Sequence, residues 1–125
     1  MGEDVLTGID RLDSLIGGGF PSGSLILLAG NPGTGKTVFS ARFIYRGAVD
    51  YGENGVYVSF SENRETFYGN MKPFGFNFGR LEKEGRFRYL DLLTVKEPTV
   101  STIFKLILRE TIGINAKRLV IDSFS

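Results

Sequence analysis

Ser24–Thr37 reads SLILLAGNPGTGKT, and the rest of the chain is best read outward from it. Leu25–Ala29 is the longest unbroken apolar run, with glycine close on either side at Gly23 and Gly30. Such a run predicts a strand over Ser24–Ala29, buried on both faces of a parallel sheet. Gly30–Thr37 then fits G-x-x-x-x-G-K-[ST] in full. Gly30, Gly33 and Gly35 permit backbone angles that other residues resist, so the loop can turn its N–H groups inward around phosphate oxygens. The helix expected next adds further donors and its positive end. Lys36 supplies a mobile point charge for the β- and γ-phosphates, and Thr37 a hydroxyl for Mg²⁺. Asn31, Pro32, Gly33, Thr34, Gly35, Lys36, Thr37 and Val38 are therefore the candidate phosphate contacts. A ligand-free strand-to-helix loop would need neither Lys36 nor Thr37. A dinucleotide fingerprint would need G-x-G-x-x-G instead.

Downstream, Val38, Ala41, Tyr45, Ala48 and Val49 recur on one helical face, with Phe39 and Phe43 beside it, and Gly52 ends the helix. Gly55–Phe60 (GVYVSF) and Phe87–Leu92 (FRYLDL) predict strands, and Leu119–Ile121 opens a fourth. A helix containing Phe67, Tyr68 and Met71 is expected after a cap at Ser61 or Asn63, and another over Thr99–Ile114. Phe74–Arg80 has no clear pattern, and Leu81–Glu84 closes a short helix. Upstream, Thr7–Ile16 reads as a short helix or turn stopped by Gly17–Gly19. Strands alternating with helices predict an α/β fold with a mainly parallel sheet, and 125 residues make one domain rather than two. Ligands of such sheets bind beyond the carboxyl ends of the strands.

Two acids stand at such ends. Asp122 closes RLVID, an apolar strand running into a carboxylate, and is the candidate Mg²⁺ ligand opposite Thr37. The bland alternative is a strand-end cap. Glu62 follows GVYVSFS and is the candidate that orients and polarises an attacking water; a helix-start acid is its alternative. Asp91 is expected to bond locally, Arg64 to be a solvated arginine, and Ser123 to lie beside the Asp122 site.

Composition narrows the chemistry. The chain has no cysteine and no histidine, which excludes disulfides, thiol nucleophiles, zinc–thiolate sites and the commonest neutral-pH base. Fifteen Lys+Arg against 14 Asp+Glu leave a net charge of +1, which does not suggest a constitutive nucleic-acid binder. Aromatics and arginines do alternate over Phe67–Arg88, but aromatics in a short chain mostly form core, and Glu82 and Glu84 interrupt the basic residues. Nucleic acid is a partner the residues allow without supporting. No secretory leader or membrane span is legible, so a cytoplasmic location is expected.

Three stretches together resemble the RecA-fold P-loop ATPases, and within them the KaiC-like or RadA-like domains of archaea and bacteria. They are Thr7–Thr37 (TGIDRLDSLIGGGFPSGSLILLAGNPGTGKT), Gly47–Glu62 (GAVDYGENGVYVSFSE) and Arg118–Ser125 (RLVIDSFS). The resemblance implies ATP and Mg²⁺ as ligands, Lys36 and Thr37 as nucleotide and metal contacts, Asp122 as the later acid and Glu62 as water activator. It implies ATP hydrolysis; the alternative, favoured by Asn63 and the incomplete domain, is an ATP-binding regulatory module with little turnover. It also implies homo-oligomers, as hexamers or filaments. One departure is Glu62–Asn63, where the KaiC-like pattern commonly has two acids. A second concerns the sheet. The family order puts a later strand between the phosphate-loop strand and the strand ending at Asp122. Without that strand, backbone groups in the middle of the sheet would go unpaired, so residues 1–125 are expected to be the N-terminal part of a longer RecA-like domain, or alternatively to take the strand from a partner.

Overall fold

Apolar, β-branched and aromatic runs become strands where each is short and bounded by turn residues. In the computed structural model, which describes residues 25–29, 34–93, 95 and 99–122, these are β1 (Leu25–Ala29), β2 (Gly55–Ser59), β3 (Phe87–Asp91) and β4 (Arg118–Asp122). Between them run α1 (Thr34–Tyr51), α2 (Arg64–Met71), α3 (Phe78–Lys83) and α4 (Val100–Gly113), with a 3₁₀ turn at Lys72–Phe74. The expected segment Thr7–Ile16 lies outside the described residues, as do Gly30, Asn31, Pro32, Gly33 and Ser123.

All pairings are parallel and the strand order is β1-β4-β2-β3. The α/β, parallel-sheet expectation is met. From β1 to β2 to β3 the chain steps one way across the sheet; α4 brings it back to β4. Right-handed crossovers require that reversal to put α4 on the opposite face. Two buried clusters follow. Ala41, Ile44, Ala48, Tyr57, Phe67, Met71, Phe76, Phe78, Leu81, Phe87, Tyr89 and Val120 fill the face under α1, α2 and α3. Val56, Val58, Leu92, Ile103, Ile107, Ile114, Ala116, Leu119 and Ile121 fill the face under α4. Alternate residues of β2 and β4 serve opposite faces, as a strand buried on both sides must.

Two expectations need correction. The expected separation of β1 from β4 by another strand is not found: β1 pairs directly with β4, from Leu25↔Arg118 to Ala29↔Asp122. Direct pairing satisfies the ladder groups that a vacant slot would leave orphaned. On α1, Ile44 is fully buried while Phe39 and Val49 are 61% and 47% exposed, so the buried stripe is Ala41–Ile44–Ala48 rather than one including Val49. As expected, Leu81–Glu84 closes the short helix before β3; it starts at Phe78, because Asn77 caps it by accepting from the Arg80 N–H at 3.1 Å. Gly75, at φ 82°, turns the chain between the 3₁₀ turn and α3. Among the described residues no helix is long and apolar enough to cross a membrane.

Candidate functional site

The carboxyl edge of the sheet gathers the acids that the sequence singles out. Ala29, the last residue of β1, is the register partner of Asp122, the last residue of β4. Whatever follows Ala29 therefore leaves the sheet beside Asp122. The α1 helix then begins at Thr34, and no acidic residue occupies its first turn. Thr34, Gly35 and Lys36 are described only as backbone of this first turn; Thr37 is half-buried, and Val38 packs against the core.

Asp122 is 7% exposed and accepts a hydrogen bond from the Tyr57 hydroxyl at 2.9 Å. Tyr57 lies two rows below, opposite Val120. A tyrosine leaning along its strand spans about two rows, roughly 6–7 Å, which is how it reaches the edge. Burial first, and the adjacent Asp122 charge second, raise the Tyr57 phenol far above its ordinary value, so it remains a donor.

Glu62 is held by the turn that leaves β2. The buried Ser59 hydroxyl accepts from the N–H groups of Ser61 at 3.2 Å and Glu62 at 3.1 Å. Tyr89 on β3 donates to the Glu62 carbonyl at 2.7 Å, and the Asn70 amide donates to its carboxylate at 3.0 Å. Desolvation raises the Glu62 carboxyl above its ordinary value; the Asn70 hydrogen bond opposes the shift and the Asp122 charge adds to it. Asn63 is the N-cap of α2, accepting from the Thr66 N–H at 2.8 Å. The residue that departs from the paired-acid pattern thus has a local structural use. Asp91 bonds locally, accepting from the Leu93 N–H at 2.9 Å. Arg64 pairs with Glu82 at 3.1 Å on the surface.

Asp122 and Glu62 stand at the same edge of the sheet, close enough for the Asp122 charge to act on Glu62. Tyr57, Ser59, Asn70 and Tyr89 were not anticipated as site residues. The tyrosines had a signal, since each sits centrally in a strand and carries a polar tip that must find a partner when buried. Asn70 had none. Of the aromatics between Phe67 and Phe87, Phe67, Phe76, Phe78 and Phe87 are core, as expected; Phe74 is 49% exposed.

Among the described residues no three acids, histidines or cysteines cluster as a metal cage. Mg²⁺ at a phosphate site needs none, since it keeps several waters and takes one or two protein oxygens plus the phosphates. A buried carboxylate beside the β1 exit, with Thr37 in the first turn of α1, fits that donor set.

A family model described as ATPase: KaiC matches residues 5–125. A UPF0273 protein of Thermotoga maritima is 39% identical over 136 residues, covering 95% of this chain and 54% of its own. The circadian clock protein KaiC2 of Synechocystis is 36% identical over 124 residues, covering 94% of this chain and 22% of its own. The crystal structure of a KaiC-like protein from Pyrococcus horikoshii superposes with a TM-score of 0.67 at 45% identity, over 94% of this chain and 51% of that one. The chain spans about half the length of the UPF0273 relatives it matches.

Proposed function

The chain belongs to the KaiC family, and from that premise we propose that it binds Mg²⁺–ATP at the carboxyl edge of its sheet and hydrolyses the β–γ bond. The observation that carries this reading is the register of Ala29 with the buried Asp122, which sets a carboxylate beside the exit to a GNPGTGKT segment. Residues 31–38 wrap the phosphates, with Lys36 balancing charge on the transferring group and Thr37 and Asp122 holding the metal. Bound Mg²⁺ would neutralise charge on the β- and γ-oxygens. Glu62 orients the attacking water and takes its proton. Its desolvation favours this role, because a carboxyl with a raised affinity for protons is a stronger base. Residues 1–125 form the N-terminal portion of a RecA-like domain, a reading supported by matches covering about half of the relatives. The assembly proposed is a homo-oligomer, a hexamer or filament.

A second reading is an ATP-binding regulatory module with little turnover. Asn63 favours it: the position beside Glu62 caps a helix instead of carrying a second acid. Equilibrium ATP binding followed by single-turnover phosphate release tests both. Binding with release supports the ATPase; binding without release supports the module; no binding overturns both.

A further inference from the structure

Two tyrosines on neighbouring strands each send a hydroxyl to one acid of the sheet edge. Tyr57 and Tyr89 are register partners across β2 and β3. Their rings stack at 5.6 Å with planes 13° apart, and Phe67 packs on both, at 4.5 Å and 4.8 Å. Tyr57 is fully buried and Tyr89 is 9% exposed. From this one aromatic block, Tyr57 donates to the Asp122 carboxylate at 2.9 Å, while Tyr89 donates to the Glu62 main-chain carbonyl at 2.7 Å. A core tyrosine needs some partner for its hydroxyl; these two take theirs from both acids of the proposed site.

We propose that Tyr57 and Tyr89 are paired positioning residues, Tyr57 orienting the Asp122 carboxylate for Mg²⁺ and Tyr89 holding the Glu62 backbone at the height where its carboxylate meets the attacking water. This rests on the ATPase reading of the same edge. The Tyr57 hydroxyl donates to Oδ2 of Asp122, a hydrogen bond that restrains rotation of the carboxylate. Partners of metal-ligating carboxylates tune affinity in this way without touching the metal. Tyr89 acts on the backbone rather than on the Glu62 carboxylate, so its loss displaces the base without changing its chemistry. The stacked rings couple the two, since neither can tilt without displacing Phe67.

The test uses the full-length protein and a fluorescent ATP analogue, with Mg²⁺ titrated at fixed nucleotide and with nucleotide titrated in EDTA. Tyr57→Phe is expected to raise the Mg²⁺ concentration at half-response about tenfold, leaving metal-free affinity unchanged. Tyr89→Phe is expected to leave the Mg²⁺ midpoint in place and lower kcat about tenfold or more. A purely structural role would lower thermal stability in both without producing this split. An unshifted Mg²⁺ midpoint in folded Tyr57→Phe overturns the proposal while the ATPase reading stands. If Tyr57→Phe fails to fold, wild-type kcat in Tyr89→Phe overturns it. Wild-type protein that binds no nucleotide overturns the ATPase reading and this proposal together.

Discussion

Glu62, just ahead of α2, and Asn70, in its last turn, share a hydrogen bond, with the Asn70 amide 3.0 Å from the Glu62 carboxylate. It is the contact that opposes the desolvation of Glu62. The base of the proposed reaction is thus held between an environment that favours its proton and a side chain that favours its charge.

That balance predicts a pH profile. Glu62 must be ionised to accept a proton from water, so turnover falls as pH drops through its folded value. Because that value is raised, the acid limb lies above the position an ordinary glutamate would give it. Asn70→Ala removes the lowering contact and moves the limb further up. The same shift affects stability with the opposite sense from an ion-paired acid. Between the unfolded and the raised folded value the native state binds more protons, so Glu62 contributes stability below that window and loses it as pH rises through it. A kcat–pH profile of wild type and Asn70→Ala checks the prediction; an acid limb that does not move in the variant refutes it.

Glu62→Gln keeps the shape of the side chain and removes the base. ATP affinity is expected to persist while kcat falls about 10²–10⁴-fold. Retained turnover would assign the base elsewhere.

Lys36→Ala removes the one ammonium group of the phosphate motif. Charge-assisted hydrogen bonds contribute about 1.5–3 kcal/mol, so affinity is expected to fall roughly 10–100-fold. Isothermal titration with Mg²⁺–ATP measures it, and unchanged affinity would remove the lysine from the site.

The fold was legible where physics is local. GVYVS, FRYLD and RLVID are short, apolar or β-branched, and bounded by turns, and each became a strand. The four-strand order was not legible. Whether β1 lies against β4 or one strand away depends on a slot that no local pattern encodes, and ladder satisfaction closed it. On α1, periodicity alone could not rank Ile44 above Val49; contact with Gly55 on β2 does so. A Cβ on Gly55 would approach Ile44 to 2.9 Å, so the helix sits down on the strand at that point. The acids were legible because Asp122 ends a strand and Glu62 follows one in the turn that leaves it. Their supports Ser59, Tyr57 and Tyr89 were not, because they act through side chains that meet only after the sheet has formed.

Asn63 separates capping from chemistry. Asn63→Ala is expected to destabilise by about 1 kcal/mol through loss of the Thr66 contact. Asn63→Asp keeps a capping oxygen and is expected to be close to neutral, while restoring the paired acids of the family pattern. Higher single-turnover release in Asn63→Asp than in wild type would favour the regulatory-module reading of the native chain.

Gly47 offers a test in which the sign depends on one neighbour. In a helix interior, Gly→Ala ordinarily stabilises by about 1 kcal/mol. Here a Cβ would meet the Arg118 side chain, with Nε only 2.6 Å away. Arg118 cannot swing aside freely. It pairs with Glu53 at 2.8 Å, donates to the Phe43 carbonyl at 2.9 Å, and lies 4.7 Å and 5.2 Å from the Phe43 and Tyr51 ring centroids. Gly47→Ala alone is therefore expected to destabilise by about 1–3 kcal/mol, the range for overpacking. In an Arg118→Ala background the obstruction is gone, and the same substitution should stabilise. A double-mutant cycle by urea denaturation reads the reversal. Additive effects would mean that Arg118 does not hold α1 against β4 at this point.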